Sequence, residues 1–176
     1  MIIFTGVAGS GKSVQGKLLA DYLGLPWLST GEFLRMLISG ERRKDMLAGK
    51  LLEDSEIIAL VQRIFNVIDT KHEFILDGFP RTVAQADWLL SQVKHKQLKI
   101  KAVINLVASE SLVSERLLKR GRQDDTKKAI NERIDEYNNK ILPILEHFKQ
   151  ANIAVYDIDA SQSVEKVQSY IRKVIK

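Results

Sequence analysis

Gly6-Val7-Ala8-Gly9-Ser10-Gly11-Lys12-Ser13 decides how the rest of the chain is read. It fits G-x-x-x-x-G-K-[ST] at every fixed position, and its flanks are those the pattern requires. Before it, Ile2-Ile3-Phe4-Thr5 is a short apolar run of strand length. After it, Lys12 to Leu23 carries Val14, Leu18, Leu19 and Tyr22 at helical spacing, which predicts one buried face. Glycines let the backbone turn back and expose consecutive N–H groups. Those groups and the helix N-terminus cradle phosphate oxygens. Lys12 adds a mobile positive charge over the terminal phosphates, and the Ser13 hydroxyl can face Mg²⁺. A mere glycine-rich turn with an exposed lysine would need neither flank.

Outward from the loop, strand and helix alternate. Gly24 ends the first helix, and residues 26–28 form a candidate second strand. Ser29-Thr30-Gly31-Glu32 offers caps for a helix through Leu37. Residues 40–52 are polar and basic, suited to a short helix and loop; residues 55–68 read as a longer helix. Strands follow at 74–76, 102–107 and 153–158, and helices at 82–93, 109–119, 127–150 and 163–175. Pro143 should bend or interrupt the helix that contains it. Such alternation implies crossover units and a parallel sheet covered on both faces. The expected architecture is one three-layer α/β domain over residues 1–176, a P-loop NTPase fold with a five-stranded parallel sheet flanked by helices. Ligands in such folds bind beyond the carboxyl ends of the strands.

Bulk properties narrow the class. A chain of 176 residues with 45% hydrophobic and 28% charged residues can bury one sizeable core. Cysteine is absent, which excludes a disulfide framework, a thiolate zinc site and a cysteine nucleophile. Apolar runs fall far below the roughly 20 residues that span a bilayer, and Gly6 interrupts the apolar start too early for a signal peptide. A cytoplasmic protein is expected. The formal net charge of +5 suits polyanionic partners. His72, His95 and His147 lack metal-ligand spacing and read as surface or boundary residues; Trp27 and Trp88 read as core aromatics.

The other strand-end loops carry the rest of the chemistry. Thr30 and Arg35 follow the second strand. Asp77-Gly78-Phe79-Pro80-Arg81-Thr82 follows the third, with Gln85 one helical turn on. Arg116, Arg120 and Arg122 follow the fourth, then Asp124, Asp125 and, on the next helix, Arg133. In this order, Ser29 to Arg35, Asp77 to Thr82 with Gln85, and Arg122-Gln123-Asp124-Asp125 with Arg133 resemble the adenylate kinases, in a short-lid form. The resemblance runs from about Met1 to the final helix. It implies transfer of a phosphoryl group from MgATP to AMP, with Mg²⁺ as cofactor and both nucleotides as small-molecule partners.

The same resemblance implies roles for particular residues. Thr30, Arg35, Gly78, Phe79, Pro80, Arg81 and Gln85 match acceptor positions, with Arg35 and Arg81 on the AMP phosphate and Gln85 on the adenine edge. Lys50, Leu51 and Leu52 match the backbone stretch lining the acceptor base. Gly9, Ser10, Gly11, Lys12, Ser13 and Val14 match the ATP loop, and Arg116 the arginine that packs on the ATP adenine. Arg120, Arg122 and Arg133 match the grip on the transferring phosphates; Asp124 and Asp125 resemble the pair that organises them. Asp77 resembles the carboxylate that holds Mg²⁺ through water, and Ala160 to Gln162 the loop covering the donor base. The implied subregions are an acceptor-binding helical insertion at 30–69 and a minimal lid at 116–133. A monomer is expected. Direct transfer between two polyanions needs positioning and charge neutralisation, and lysine with convergent arginines supplies both without a protein nucleophile.

Some positions depart from the family's pattern. Ser13 and Val14 stand where glycine and threonine are usual, so the hydroxyl for the donor α-phosphate is missing at Val14. Ala8 replaces a proline, and Ala160 a glycine. Only Gly121 separates Arg120 from Arg122, and residues 40–49 also look trimmed. Two other readings exist. A UMP/CMP kinase is opposed by Gln85, since pyrimidine-selective relatives usually carry asparagine there, and an amide pairs with adenine by donor and acceptor together. A nucleotide- or RNA-binding protein with decayed kinase activity is suggested by the basic balance, including Lys94 to Lys101, but nucleic acid is not the expected partner.

Overall fold

The computed structural model describes residues 1–37, 39, 40, 52–122 and 125–176. Its strands are β1 (Ile2–Gly6), β2 (Trp27–Ser29), β3 (Ile75–Asp77), β4 (Ala102–Val107) and β5 (Val155–Asp159). Helices are α1 (Lys12–Leu23), α2 (Thr30–Leu37), α3 (Asp54–Val67), α4 (Val83–Lys94), α5 (Glu110–Arg120), α6 (Lys127–Glu136), α7 (Leu142–Gln150) and α8 (Val164–Val174). A π-helical turn, Tyr137–Ile141, joins α6 to α7. The expected α/β fold is present: a single parallel sheet in the order β2-β3-β1-β4-β5 with helices on both faces.

β1 lies at the centre because both of its faces are covered. Ile2, Ile3 and Phe4 are fully buried, and side chains alternate between faces along a strand. Ile2 and Phe4 pack with Leu19 of α1 and Ile171 of α8. Ile3 faces the opposite cluster, with Val61, Leu89 and Phe148 from α3, α4 and α7. That double burial is why β1 reads as an unbroken apolar run. The chain leaves β1 for the β2 edge and later returns to the other side through β4, so the order reverses at β1. In sheets of this kind, ligands bind at such a reversal, here beyond the carboxyl ends of β1 and β3.

One expectation about helices needs correction, and one is met. The buried face of α1 is Gln15, Gly16, Leu19 and Ala20, whereas Val14, Leu18 and Tyr22 are 51%, 37% and 55% exposed. Close approach to the sheet selects the small residues. A Cβ on Gly16 would lie 2.9 Å from the Trp27 indole nitrogen. Tyr22 instead carries the Arg172 guanidinium 3.8 Å above its ring. In the long helix, the interruption falls over Tyr137–Ile141, one turn before Pro143, which sits at the start of α7. Proline lacks the N–H that the preceding turn would receive, and widening to a π-turn absorbs the mismatch. Tyr137 there donates its hydroxyl to Asn105 on β4 at 3.2 Å.

The two tryptophans are half-buried and pack against the core clusters from their margins rather than lying within them, and the histidines lie at the surface or boundary as read. Trp88 packs against Phe65 and Phe79, with ring centroids 6.2 and 6.0 Å away. Trp27 is half-buried under the Lys17 ammonium. His72 and His147 sit on the surface beside Asp69 and Asp87. Among the described residues, no helix is long and apolar enough to cross a membrane.

Candidate active site

The loop between β1 and α1 is shaped by its first glycine. Gly6 has φ +132°, and a Cβ there would lie 2.5 Å from the Leu106 carbonyl oxygen of β4. Only glycine allows β1 to turn this close to its neighbour. Gly11 caps α1 in the left-handed conformation, and Lys12 begins the helix. The Lys12 ammonium folds back on the loop, donating to the Gly6 and Val7 carbonyls at 2.7 and 2.8 Å. Burial pushes this amine down to about 8; Asp77 opposes the shift, and Arg81, Arg120 and Arg133 add to it. The field of three arginines from separate segments therefore reaches the Lys12 amine, a field suited to phosphate.

Asp77 ends β3 beside the loop and is buried. Its Oδ2 accepts a 2.7 Å hydrogen bond from the Ser13 hydroxyl. The two positions singled out for metal are thus in direct contact.

On the acceptor side, Thr30 is buried and its hydroxyl donates to the Gly78 carbonyl at 2.9 Å, tying the exits of β2 and β3 together. Arg81 Nε donates to the same carbonyl at 2.9 Å. A Cβ on Gly31 would lie 3.5 Å from Arg35 Nη1 and 3.7 Å from Arg81 Nη2, so both guanidinium groups meet over that glycine. Phe79 is a core side chain, which leaves its backbone to face the crevice; the Phe79–Pro80 bond is cis. Thr82 caps α4 by accepting from the Gln85 N–H at 3.2 Å. The Gln85 side chain is only 4% exposed and held at both ends. Its Oε1 accepts from the Arg81 N–H at 2.8 Å, and its Nε2 donates to Asp54 Oδ1 at 2.7 Å.

Past β4, a second cluster forms on Asp125. Arg120 grips this buried carboxylate through Nε and Nη2 at 2.8 and 2.6 Å. Arg133 Nη1 donates at 2.8 Å, and the Arg122 backbone N–H at 3.2 Å. Burial works to raise the Asp125 pKa, but the hydrogen bonds and charges of Arg120 and Arg133 outweigh it and hold the group at about 2. The Arg122 side chain is exposed, and Arg116 on α5 is half-buried. Ala160 donates its N–H to the Val107 carbonyl at 2.8 Å, pinning the last loop against β4. Gln162 turns back on that loop, toward Asp159 and Ser161. Val14 faces solvent on α1.

The structure therefore groups the singled-out residues into three contacts: Ser13 with Asp77, Thr30 and Arg81 on the Gly78 carbonyl, and Arg120 with Arg133 on Asp125. Lys50, Leu51 and Asp124 lie outside the described residues; Leu52 is half-buried just before α3. Asp54 was not among the candidates. Its partner Gln85 lies 31 positions away, and only the Thr82-x-x-Gln85 capping pattern hints locally that this amide is tied down.

Comparison with known proteins agrees with the geometry. The adenylate kinase family model matches residues 4–153. The chain is 39% identical over 171 residues to an adenylate kinase of Corynebacterium aurimucosum and 37% identical over 172 residues to one of Corynebacterium urealyticum. Both alignments cover 94% of this chain and 93% of the relative. An "Adenylate kinase 1" of Synechocystis is 36% identical, covering 99% of this chain and 96% of the relative. Phosphate loop, arginine clusters and near full-length similarity together place this chain in the adenylate kinase family.

Proposed function

We propose that the protein is an ATP:AMP phosphotransferase that catalyses MgATP + AMP ⇌ 2 ADP by direct in-line transfer. The observation that carries this reading is the phosphate loop with Lys12 folded over it and Ser13 bonded to Asp77, together with Arg120 and Arg133 held in place by Asp125. The loop N–H groups from Gly9 to Ser13, with Lys12, hold the ATP phosphates, and Arg116 and Gln162 flank the donor base. Arg35 and Arg81 orient the AMP phosphate, Thr30 and Gly78 to Pro80 shape its pocket, and Gln85 with residues 50–52 receives the base. Arg120, Arg122 and Arg133 neutralise the transferring group, organised by Asp124 and Asp125. No protein base is required, because the acceptor phosphate is already anionic.

Ser13 and Asp77 fit Mg²⁺. Both offer hard oxygen atoms within 2.7 Å of each other, and Mg²⁺ commonly takes one or two protein oxygens and completes its shell with water and phosphate. When bound, the ion would supply positive charge that offsets the charge of the phosphates. Asp77, hydrogen-bonded by Ser13, would hold it at the end of β3 beside the phosphate loop. Residues 30–69 serve as the acceptor-binding insertion and 116–133 as a minimal lid. The protein works as a cytoplasmic monomer.

ADP formation from MgATP, with AMP, UMP, CMP, GMP or no acceptor in parallel, tests the reading. Turnover well above background with AMP alone is expected. A preference for UMP or CMP would overturn the role of Gln85, and no acceptor-dependent turnover would overturn the activity.

A further inference from the structure

The Gln85 side chain is held by groups of opposite character. The Arg81 N–H can only donate, so it fixes the amide oxygen. An ionised Asp54 can only accept, so it fixes the amide nitrogen. Rotating the amide by half a turn would set oxygen against carboxylate and N–H against N–H. With 4% of its surface exposed, Gln85 has no water to cushion such a flip. One lone pair and one N–H remain unused, so the amide presents one acceptor and one donor in a fixed order.

Fixed order matters for choosing a purine. Adenine carries a donor at position 6, whereas a 6-oxo purine carries an acceptor there. A free glutamine could turn over and pair with either. A locked one pairs well with a single pattern and leaves buried polar groups unmatched against the other, which is how binding sites discriminate most strongly.

We propose that Asp54, the first residue of α3, is a positioning residue that locks the Gln85 amide and so sets the preference for a 6-amino over a 6-oxo purine monophosphate. The proposal rests on the reading that Gln85 faces the acceptor base. Asp54 also opens a helix, where a carboxylate complements the helix dipole whatever lies nearby. The two roles separate by substitution. Asp54→Asn discards the charge but keeps a carbonyl oxygen that can accept from Gln85. Asp54→Ala discards both.

The test is steady-state kinetics on the full chain at saturating MgATP, with AMP and IMP as acceptors. Asp54→Ala is expected to raise the KM for AMP and to lower the AMP-over-IMP preference in kcat/KM about tenfold each, with kcat for AMP within about twofold. Asp54→Asn should restore most of both losses. The double variant Asp54→Ala, Gln85→Ala should be no worse than Gln85→Ala alone, because Asp54 acts through Gln85. Should Asp54→Ala fail to fold, Asp54→Ser, too short to reach the amide, takes its place. An unchanged AMP-over-IMP ratio in Asp54→Ala, with equal loss of Tm in the alanine and asparagine variants, would leave only the helix-dipole role and overturn the proposal. Gln85→Ala alone keeps the failures distinct. If it raises the AMP KM while Asp54→Ala does not, the lock is wrong and the base contact stands. If it changes nothing, the base contact is wrong and the lock falls with it.

Discussion

Lys12 is poised between two environments. With no anion present its ammonium is satisfied by the Gly6 and Val7 carbonyls and pushed down to about 8 by burial. A bound phosphate adds negative charge where the protein has assembled cations, and opposite charge favours the protonated amine. Nucleotide binding should therefore take up protons at alkaline pH: about half a proton per site near pH 8. Affinity should fall as pH rises through that value, since deprotonated enzyme must first regain its proton. Calorimetry of MgATP binding in buffers of different ionisation enthalpy reads the uptake directly. Lys12→Met should abolish it and slow transfer about 10²-fold or more. Equal uptake in wild type and variant would assign the proton to another group.

At the scale of elements, the turn from α5 to α6 hangs on one carboxylate. Asp125 joins Arg120 at the end of α5 to Arg133 on α6. Its folded pKa of about 2 lies below the ordinary aspartate value of about 3.9. The ionised form therefore adds stability above about pH 4, and that contribution is lost as pH falls through 2, amounting to about 2 kcal/mol at neutrality. Asp125→Asn should lower Tm by roughly 4–8 °C at pH 7 and by progressively less toward pH 2, followed by thermal melts across pH. Transfer should drop about 10²-fold as both arginines lose their orientation. A Tm difference that persists undiminished at pH 2 would argue for packing rather than charge. This cluster was legible in sequence because its members lie close together around the turn from α5 to α6, and β1 was legible because burial on both faces leaves Ile2 to Phe4 an unbroken apolar run. The α1 face was not. Periodicity ranks residues by hydrophobicity, whereas α1 packs on the sheet where Gly16 leaves room for the Trp27 indole. Nor does local pattern announce long-range partners such as Gln85 with Asp54 or Asn105 with Tyr137.

For the whole molecule, charge and enclosure lead to one expectation about wasted turnover. The basic balance is divided: Lys12, Arg35, Arg81, Arg120 and Arg133 surround the crevice, while exposed Lys94, Lys96, Lys99 and Lys101 lead into the amino end of β4, the opposite edge of a parallel sheet. The cations gathered for phosphate thus stand at one end of the sheet and the exposed lysines at the other. The roof of the crevice is a different matter. The chain leaves α5 at Arg120 and enters α6 at Lys127, too short a path for a separate covering domain. Water exclusion should then depend on Arg120, Arg133 and the acceptor itself more than on a large closing domain. Without AMP, MgATP should be hydrolysed at a measurable rate, and AMP should suppress phosphate release while ADP forms. Coupled phosphate and ADP assays on one sample give the ratio of hydrolysis to transfer. A ratio that is negligible without acceptor would mean that the arginine cluster and the loop alone keep water from the γ-phosphate, and the short connection would then carry no kinetic penalty.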